Sequence, residues 1–306
     1  MTIKFDDHSL TKTVRQTWVA AQAELANNLD LDSSEARLEA QLLLQTILKV
    51  NRAWLLAHEN DALQANNHAD IQALLTRRLT GEPIAYILGC REFYGLDLMV
   101  TPDTLIPRPD TEALVEAALA KIQNNISESV LDLGTGTGAI ALAIAKHRPH
   151  TFVTAVDASN AALEIAKKNA QRLNFTNIQF VLSHWFENLN NKNNGAEKFD
   201  VIVSNPPYIE QDDVHLGQGD LRFEPISALA SGADGLDDIR RIIDHCLIHL
   251  KPQGWLMLEN GYNQAESVAN LMAQTGLTCI ETTKDLGGNQ RVTIGKNPLI
   301  ISTHWD

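Results

Sequence analysis

From about residue 127 onward, short apolar runs of strand length alternate with longer segments of helical period, and this alternation constrains the fold more than any other feature. "SVLDLG", "FVTAVD", "IQFVLS", "FDVIVSN" and "WLMLEN" are β-branched and nearly continuous in apolar character. Runs of that kind suit strands covered on both faces. Between them, "GAIALAIAKH", "NAALEIAKKNAQRL" and "LDDIRRIIDHCLIHL" repeat apolar residues at helical spacing. The pattern predicts an α/β fold: a Rossmann-like, doubly wound and mostly parallel sheet with helices on both sides. "CIETTKDLGGNQRVTIGK" adds two strands as an antiparallel C-terminal edge. The polar stretch "NLNNKNNGAEK" (188–198) reads as a solvated loop.

The first 80 or so residues carry helical patterns only. Val14, Trp18, Ala21 and Leu25 mark one helix, and Ala36, Ala40, Leu43, Leu44 and Ile47 a second, with Ser33 or Ser34 as its expected cap. Ile71, Leu74, Leu75 and Leu79 mark a third, stopped by Gly81 and Pro83. "REFYGLDLMVTPDTLIPRPDTE" then reads as a hairpin or extended linker, with a helix starting near Asp110 or Thr111. The expected organisation is therefore a small helical bundle over 1–83, a hairpin linker over 84–110 and the α/β domain over 111–306.

Composition matters here mainly for what it argues against. A formal charge of −13 with no lysine or arginine block is a poor basis for broad nucleic-acid binding. No apolar run approaches the ~18 residues of a membrane span. The start "MTIKFDDHSL" lacks the basic and apolar regions of a signal peptide. Cys90, Cys246 and Cys279 are scattered and read as core thiols of a reducing cytosol, not as metal ligands. The expectation is a cytoplasmic protein with no metal, no membrane and no direct nucleic-acid partner.

The first strand-to-helix turn is "LDLGTGTGAIALA", with glycines at 134, 136 and 138. Glycines allow a tight turn and close approach of a ligand, and the helix behind them offers free N–H groups. The spacing is one residue tighter than the dinucleotide G-x-G-x-x-G, which removes part of the reason to expect a pyrophosphate. Asp157 ends the next strand, where a carboxylate can take both hydroxyls of a ribose or, alternatively, cap the following helix. Trp185, in "LSHWFENL", offers a face to a purine ring or to the core.

After "FDVIV" comes "SNPPYIEQ". Two prolines end the strand and donate no backbone hydrogen bond. The Asn205 side-chain oxygen and the Pro206 carbonyl are two acceptors able to hold both hydrogens of a flat NH2 group, with the Tyr208 ring beside it. A delocalised amide nitrogen is a poor nucleophile; acceptors that draw on its hydrogens raise its electron density and aim it. A strand terminator alone has no use for this Asn and Tyr.

At these residues the sequence resembles the S-adenosylmethionine-dependent methyltransferases. Within that class it resembles the bacterial peptide chain release factor glutamine methyltransferases, through "FYGLDLMVTPDTLIPRPDTE", "LDLGTGTGAIALA", "SNPPYIE", "LRFEPISAL" and "NQRVTIG". The resemblance implies transfer of a methyl group from S-adenosyl-L-methionine, leaving S-adenosyl-L-homocysteine. The acceptor it implies is the glutamine side-chain amide in the Gly-Gly-Gln motif of peptide chain release factors one and two. By matching position, Gly134, Thr135, Gly136, Thr137, Gly138, Asp157, Trp185 and Asn205 would bind the cofactor. Asn205, Pro206, Pro207 and Tyr208 would hold the glutamine, with Asn205, Pro206 and Tyr208 as the catalytic set. Arg108 and Glu112 would shape the cofactor entrance, and the helical N-terminus would recognise the release factor. One departure is His184, where the family often carries an acid, so that side chain is left out of the expected site.

Three other readings compete. A methyltransferase acting on an exocyclic amino group of a nucleic-acid base would also use N-P-P-Y, but it calls for basic surface. A nicotinamide-dependent oxidoreductase shares the sheet and leaves N-P-P-Y unexplained. A cofactor-binding scaffold would bind without transferring a methyl group.

Overall fold

The computed structural model describes residues 12–189 and 195–299, and the chain divides into two compact units, 1–89 and 90–306. The middle of the expected polar loop, 190–194, lies outside the described residues.

The first unit is helical. Helix α1 (Val14–Leu29) starts from Thr13, whose hydroxyl accepts from the Gln16 N–H while the Gln16 side chain accepts from the Thr13 N–H. This reciprocal cap satisfies two of the donors that a helix start leaves free. Helix α2 (Ser33–Leu48) is capped by Asp32, not by Ser33 or Ser34; its carboxylate accepts from the N–H groups of Ser34 and Glu35 at 2.6 and 2.9 Å. A charged acceptor at the positive end of a helix is favoured over a hydroxyl, which is the physical reason for the one-residue shift. Helices α3 (Arg52–Ala57), α4 (Ala65–Leu79) and α5 (Ile84–Leu88) complete the unit. Their core gathers Val14, Trp18, Leu25, Leu43, Leu44 and Ile71, the stripes expected from periodicity. Burying a Leu or Ile completely is worth roughly 1.5–3 kcal/mol, so these stripes carry the unit. Arg78 ties α4 to α2 through Glu39, Nε to Oε2 at 2.7 Å.

The second unit opens with the hairpin β1 (Cys90–Phe93) and β2 (Leu96–Met99). Its turn residues Tyr94 and Gly95 are both left-handed, at φ 49° and 71°. That conformation matches the twist of a two-residue hairpin. The buried side chain of Asn169 accepts from the Met99 N–H at 2.7 Å and donates to the Met99 carbonyl at 3.0 Å, tying the hairpin to this unit. A short 3₁₀ turn at Pro109–Thr111 leads into α6 (Glu112–Lys121). Then follow β3 (Ser129–Leu133), α7 (Ala139–His147), β4 (Phe152–Asp157), α8 (Asn160–Arg172), β5 (Ile178–Leu182) and β6 (Phe199–Ser204). After them come α9 (Asp237–His249), β7 (Leu250–Glu259), α10 (Ala265–Thr275), β8 (Thr278–Lys284) and β9 (Gln290–Lys296).

The seven-stranded sheet runs β5-β4-β3-β6-β7-β9-β8; β5 through β7 are parallel, while β9 and β8 form the antiparallel edge. Helices α6 and α7 cover the face that bears Val130, Val153 and Val201, while α9 and α10 cover the face with Leu131, Ile202 and Leu256. Burial on both faces accounts for the continuous apolar runs. Helix α10 had no counterpart in the sequence reading. Of the three cysteines only Cys246 is buried; Cys279 is exposed and Cys90 half-buried, so two of the expected core thiols are not in the core. Both sit on strands beside the hairpin and sheet edges, where alternate residues face out. Among the described residues no helix is long and apolar enough to cross a membrane.

Candidate active site

Strand order reverses between β3 and β6, and in open α/β sheets the crevice at such a point, beyond the carboxyl ends of the strands, is where ligands bind. The registers Leu133↔Ser204, Leu133↔Val156 and Asp157↔Leu182 bring four strand ends to one edge. The glycine turn, Asp157, the Trp185 loop and Asn205 all follow from those ends. A cavity of about 360 Å³ lies among them, lined by Gly134, Gly136, Asp157, Trp185, Asn205 and Pro207 of the expected residues. That volume falls within the usual range for small-molecule sites, ~300–1,000 Å³.

The glycine turn is left-handed at all three glycines, with φ 70° at Gly134, 56° at Gly136 and 84° at Gly138. Each glycine answers a different need. A Cβ on Gly138 would come within 3.1 Å of Leu142 Cδ1 and 3.3 Å of Ala166 Cβ, so this glycine lets α7 seat against α8. On Gly134 it would meet the Trp185 ring at 3.4 Å, whereas on Gly136 it would meet nothing within 4 Å, because the cavity is there. The intervening threonines face inward. The Thr135 hydroxyl donates to Asp132 Oδ2 at 2.6 Å, and both Thr135 and Thr137 are buried outside the cavity lining. Gly138 is also outside it. Asp132 itself is fully buried, and desolvation pushes its carboxyl up to about 7.

Asp157 accepts from the Gly136 N–H through Oδ2 and from the Ser159 N–H through Oδ1, both at 2.8 Å. The cap of α8 is Ser159, whose hydroxyl accepts from the Ala162 N–H, so the capping alternative for Asp157 falls. Burial raises the Asp157 pKa, and the N–H bonds oppose that. Trp185 sits at φ 50° and its indole N–H donates to Asp238 Oδ1 at 3.1 Å. Asp238 is held in turn by the Ser231 hydroxyl at 2.7 Å, so the ring that flanks Gly134 is fixed from the far wall.

Asn205 Nδ2 donates to the Thr111 hydroxyl at 3.1 Å, and among the described residues its Oδ1 takes no hydrogen bond. Pro206 is buried and Tyr208 half-buried, and neither lines the cavity. The Tyr208 hydroxyl donates to Glu259 Oε1 at 3.2 Å, and its carbonyl accepts from Gln264 Nε2 at 3.0 Å. Burial raises the Tyr208 pKa, with the Glu259 charge adding to it. Beyond the tyrosine, Ile209 N–H donates to Leu229 O and Ser231 N–H to Ile209 O, which pairs "YIE" with "ALAS".

Several residues at the site were not read from the sequence. Asp103, Thr104 and Leu105, the stretch from Pro225 to Ala230, and Asp238 contribute to the lining. So does His184, which was left out; it lies between Glu187 and Arg241. The motif segments supplied the available signal, since they prove to be each other's partners. Arg108 pairs with the buried Glu224 of "RFEP", which also accepts from the Ile106 N–H at 2.9 Å. Arg291 of "NQRVTIG" bridges Asp285 at 3.0 Å and Asp110 at 3.1 Å. The expectation that Glu112 shapes the cofactor entrance is corrected. It accepts from the Tyr94 N–H at 3.2 Å and lines a separate hollow with Glu116 and Leu286. Glu112 opens α6 directly after the turn at Pro109–Thr111 and is not among the residues lining the cavity.

Comparison with known proteins supplies the family. Residues 110–220 match the methyltransferase small domain and residues 18–89 the PrmC N-terminal domain. The release factor glutamine methyltransferase of Salmonella typhimurium is 46% identical over 87% of this chain and 94% of its own length. That of Pseudomonas aeruginosa is 48% identical over 87% and 94%, and that of Escherichia coli 45% over 87% and 94%. The chain belongs to the release factor glutamine methyltransferase family. It is therefore an enzyme with a methyltransferase fold. The hMettl16 catalytic domain, solved in complex with a 3′UTR hairpin, shares that fold, with a TM-score of 0.53 at 18% identity over 70% of this chain and 81% of its own. The family's cofactor fits the residues present: a turn whose glycine side is open at Gly136, an acid beside it, an anchored indole and a cavity of sufficient size.

Proposed function

We propose that this enzyme methylates the side-chain amide nitrogen of the glutamine in the Gly-Gly-Gln motif of peptide chain release factors one and two, using S-adenosyl-L-methionine. The observation that carries the reading is the state of Asn205. Its NH2 end is committed to Thr111, so its oxygen is the end left for a substrate at the rim of the cavity.

When bound, the cofactor supplies an electrophilic methyl group. Gly134 and Gly136 would leave room for it, the Asp157 carboxylate, whose two oxygens each keep acceptor capacity beside their backbone N–H partners, would accept from its ribose hydroxyls, and Trp185 would offer its ring to the base. Asn205 Oδ1 and the Pro206 carbonyl accept the two hydrogens of the glutamine NH2, and Pro207 and Tyr208 close the slot. Holding both hydrogens localises electron density on a nitrogen that resonance otherwise drains, and fixes it in line with the methyl carbon. No strong base is required beforehand, since the nitrogen's acidity rises once it is alkylated and the proton then leaves to water. A translation-related, cytoplasmic setting accords with this substrate.

Incubation with labelled S-adenosylmethionine and purified release factor, followed by mass spectrometry, is expected to place one methyl group on the Gly-Gly-Gln glutamine. Label found in DNA or ribosomal RNA instead overturns the reading.

A further inference from the structure

We infer that Glu224 is a clasp: it fastens the strap of residues 103–108 to the segment 224–231 and thereby governs how long the cofactor stays in the cavity. The inference rests on the proposed function for the identity of that cofactor, and it names Glu224 and Arg108 as positioning residues.

Much of the cavity lining comes from the strand ends, but two stretches of it do not belong to the seven-stranded sheet. Asp103, Thr104 and Leu105 follow the hairpin, and Pro225, Ser227, Ala228 and Ala230 lie in the long connection between β6 and α9. Each stretch is folded on itself by short-range bonds. In the first, the Thr104 N–H and hydroxyl both donate to the Thr101 carbonyl, at 3.0 and 3.1 Å. In the second, the Ala228 N–H donates to Pro225 O at 2.9 Å and the Leu229 N–H to Ile226 O at 3.0 Å. Such bonds shape a loop without fixing its distance from another.

Glu224 supplies the fixing. Its side chain is fully buried and its two oxygens are divided, Oε2 accepting from the Ile106 N–H at 2.9 Å and Oε1 from the Arg108 guanidinium. One carboxylate thus bonds the strap at two points. Leu105 on one side of the clasp and Pro225 on the other both line the cavity, so the spacing of these two walls follows from it. The segment 224–231 has an anchor of its own: the Ile209 N–H donates to Leu229 O and the Ser231 N–H to Ile209 O, both at 2.9 Å. Loss of the clasp therefore frees the strap and leaves the loop after N-P-P-Y paired as it is.

A buried carboxylate is a costly fastener. Burial raises the Glu224 pKa, and the Arg108 charge opposes that. Apolar contact would join two loops without the desolvation penalty. A charge-assisted pair fixes direction as well as proximity. It can also part and re-form as a ligand passes, because the Arg108 side chain is 33% exposed and water can take over its bonds. Segments that close over a bound ligand commonly set its rate of release.

The test uses Glu224→Gln, which keeps the shape and an acceptor for Ile106 but loses the charge, together with Arg108→Met and the double variant. In stopped-flow displacement, release of S-adenosylhomocysteine is expected to be about tenfold faster in each single variant, with KM for S-adenosylmethionine raised to match and kcat within about threefold. The double variant is expected to be no faster than the faster single, since both changes act on one contact. In the ligand-free protein, hydrogen exchange of the Ile106 amide is expected to rise about tenfold or more in Arg108→Met while the β3 amides keep their rates. Should Glu224→Gln fold poorly, the partly exposed Arg108 position carries the test alone. An unchanged release rate, additive effects in the cycle, or Ile106 exchange that rises only in step with the β3 amides overturns the inference. Failure of the parent protein to bind S-adenosylhomocysteine sinks the cofactor assignment instead, and the Ile106 amide judges the clasp without any ligand.

Discussion

Asn205 lines the cavity, and in the proposed reaction it has a second, separable duty, offering Oδ1 to the substrate. On that proposal, truncation at this position would remove an acceptor used in the transition state but only a small part of the cofactor's contact area. Asn205→Ala is therefore expected to lower kcat by about 100-fold or more while weakening S-adenosylhomocysteine binding only a few-fold. Turnover assays paired with calorimetry decide it, and near-normal turnover would refute the acceptor role. Asp132 supports a prediction on stability. Its carboxyl titrates at about 7 in the fold against an ordinary 3.8, because it is fully buried. Below pH 3.8 the folded and unfolded chains both hold the proton, and no penalty exists. As pH rises toward 7 the unfolded chain has already released it, so folding stability falls, by about 4 kcal/mol once the folded form also ionises. Asp132→Asn removes that dependence. Denaturant midpoints of the variant relative to the parent protein should therefore improve from pH 5 to pH 8, and a constant difference would contradict the assignment.

At the scale of the element, the turn between β3 and α7 shows three like residues held for unlike reasons. The left-handed backbone at each glycine costs a residue with a Cβ about 1–2 kcal/mol. At Gly138 the added atom would also press on Leu142 and Ala166, at 3.1 and 3.3 Å. Gly138→Ala is thus expected to destabilise by about 2–4 kcal/mol in urea unfolding, the strain and overpacking terms together. Gly136→Ala meets nothing within 4 Å, so it should lose only the strain term while the new methyl group protrudes into the cavity and reduces cofactor affinity at least about tenfold. Equal effects of the two changes on affinity would argue against the cavity as the cofactor site. The hairpin β1–β2 illustrates how far element-level reading reaches. The sequence around Gly95 left a hairpin or an extended linker open, and the pairing of Phe93 with Leu96 and the backbone angles at Tyr94 and Gly95 make it a hairpin with a two-residue turn. What the hairpin attaches to depended on Asn169 in α8, which nothing in the hairpin sequence names.

For the whole molecule, two compact units invite a division of labour. The second contains the cavity and the N-P-P-Y loop, both of which a short peptide can reach. The helical unit has its own core and leaves Val19, Leu38, Trp54 and Leu56 exposed at 45, 48, 37 and 42%. We propose that it grips the release factor outside the glutamine loop. Deleting residues 1–89 should then raise KM for the whole release factor by tenfold or more (about 1.4 kcal/mol or more of binding) but leave KM for a Gly-Gly-Gln peptide nearly unchanged. Equal changes for both substrates would remove the proposal.

Local rules were enough for much of this protein. Strand and helix alternation, the glycines that need positive φ, and the prolines that close β6 all act within a few residues, so the architecture and several of the residues that line the cavity could be read along the chain. The misses lie at Asp32, whose carboxylate caps α2 one residue ahead of the two serines, and at Glu112, which accepts from the Tyr94 N–H of the hairpin and does not line the cavity. Tertiary structure alone decided which distant side chains meet. Asn205 finds Thr111 across 94 residues, Glu224 finds Arg108 across 116, and Arg291 finds Asp110 across 181. Periodicity holds no information about such pairings. They arise because a parallel sheet brings successive strand ends to one edge, where buried polar groups must find partners and those partners come from whichever segments the packing delivers.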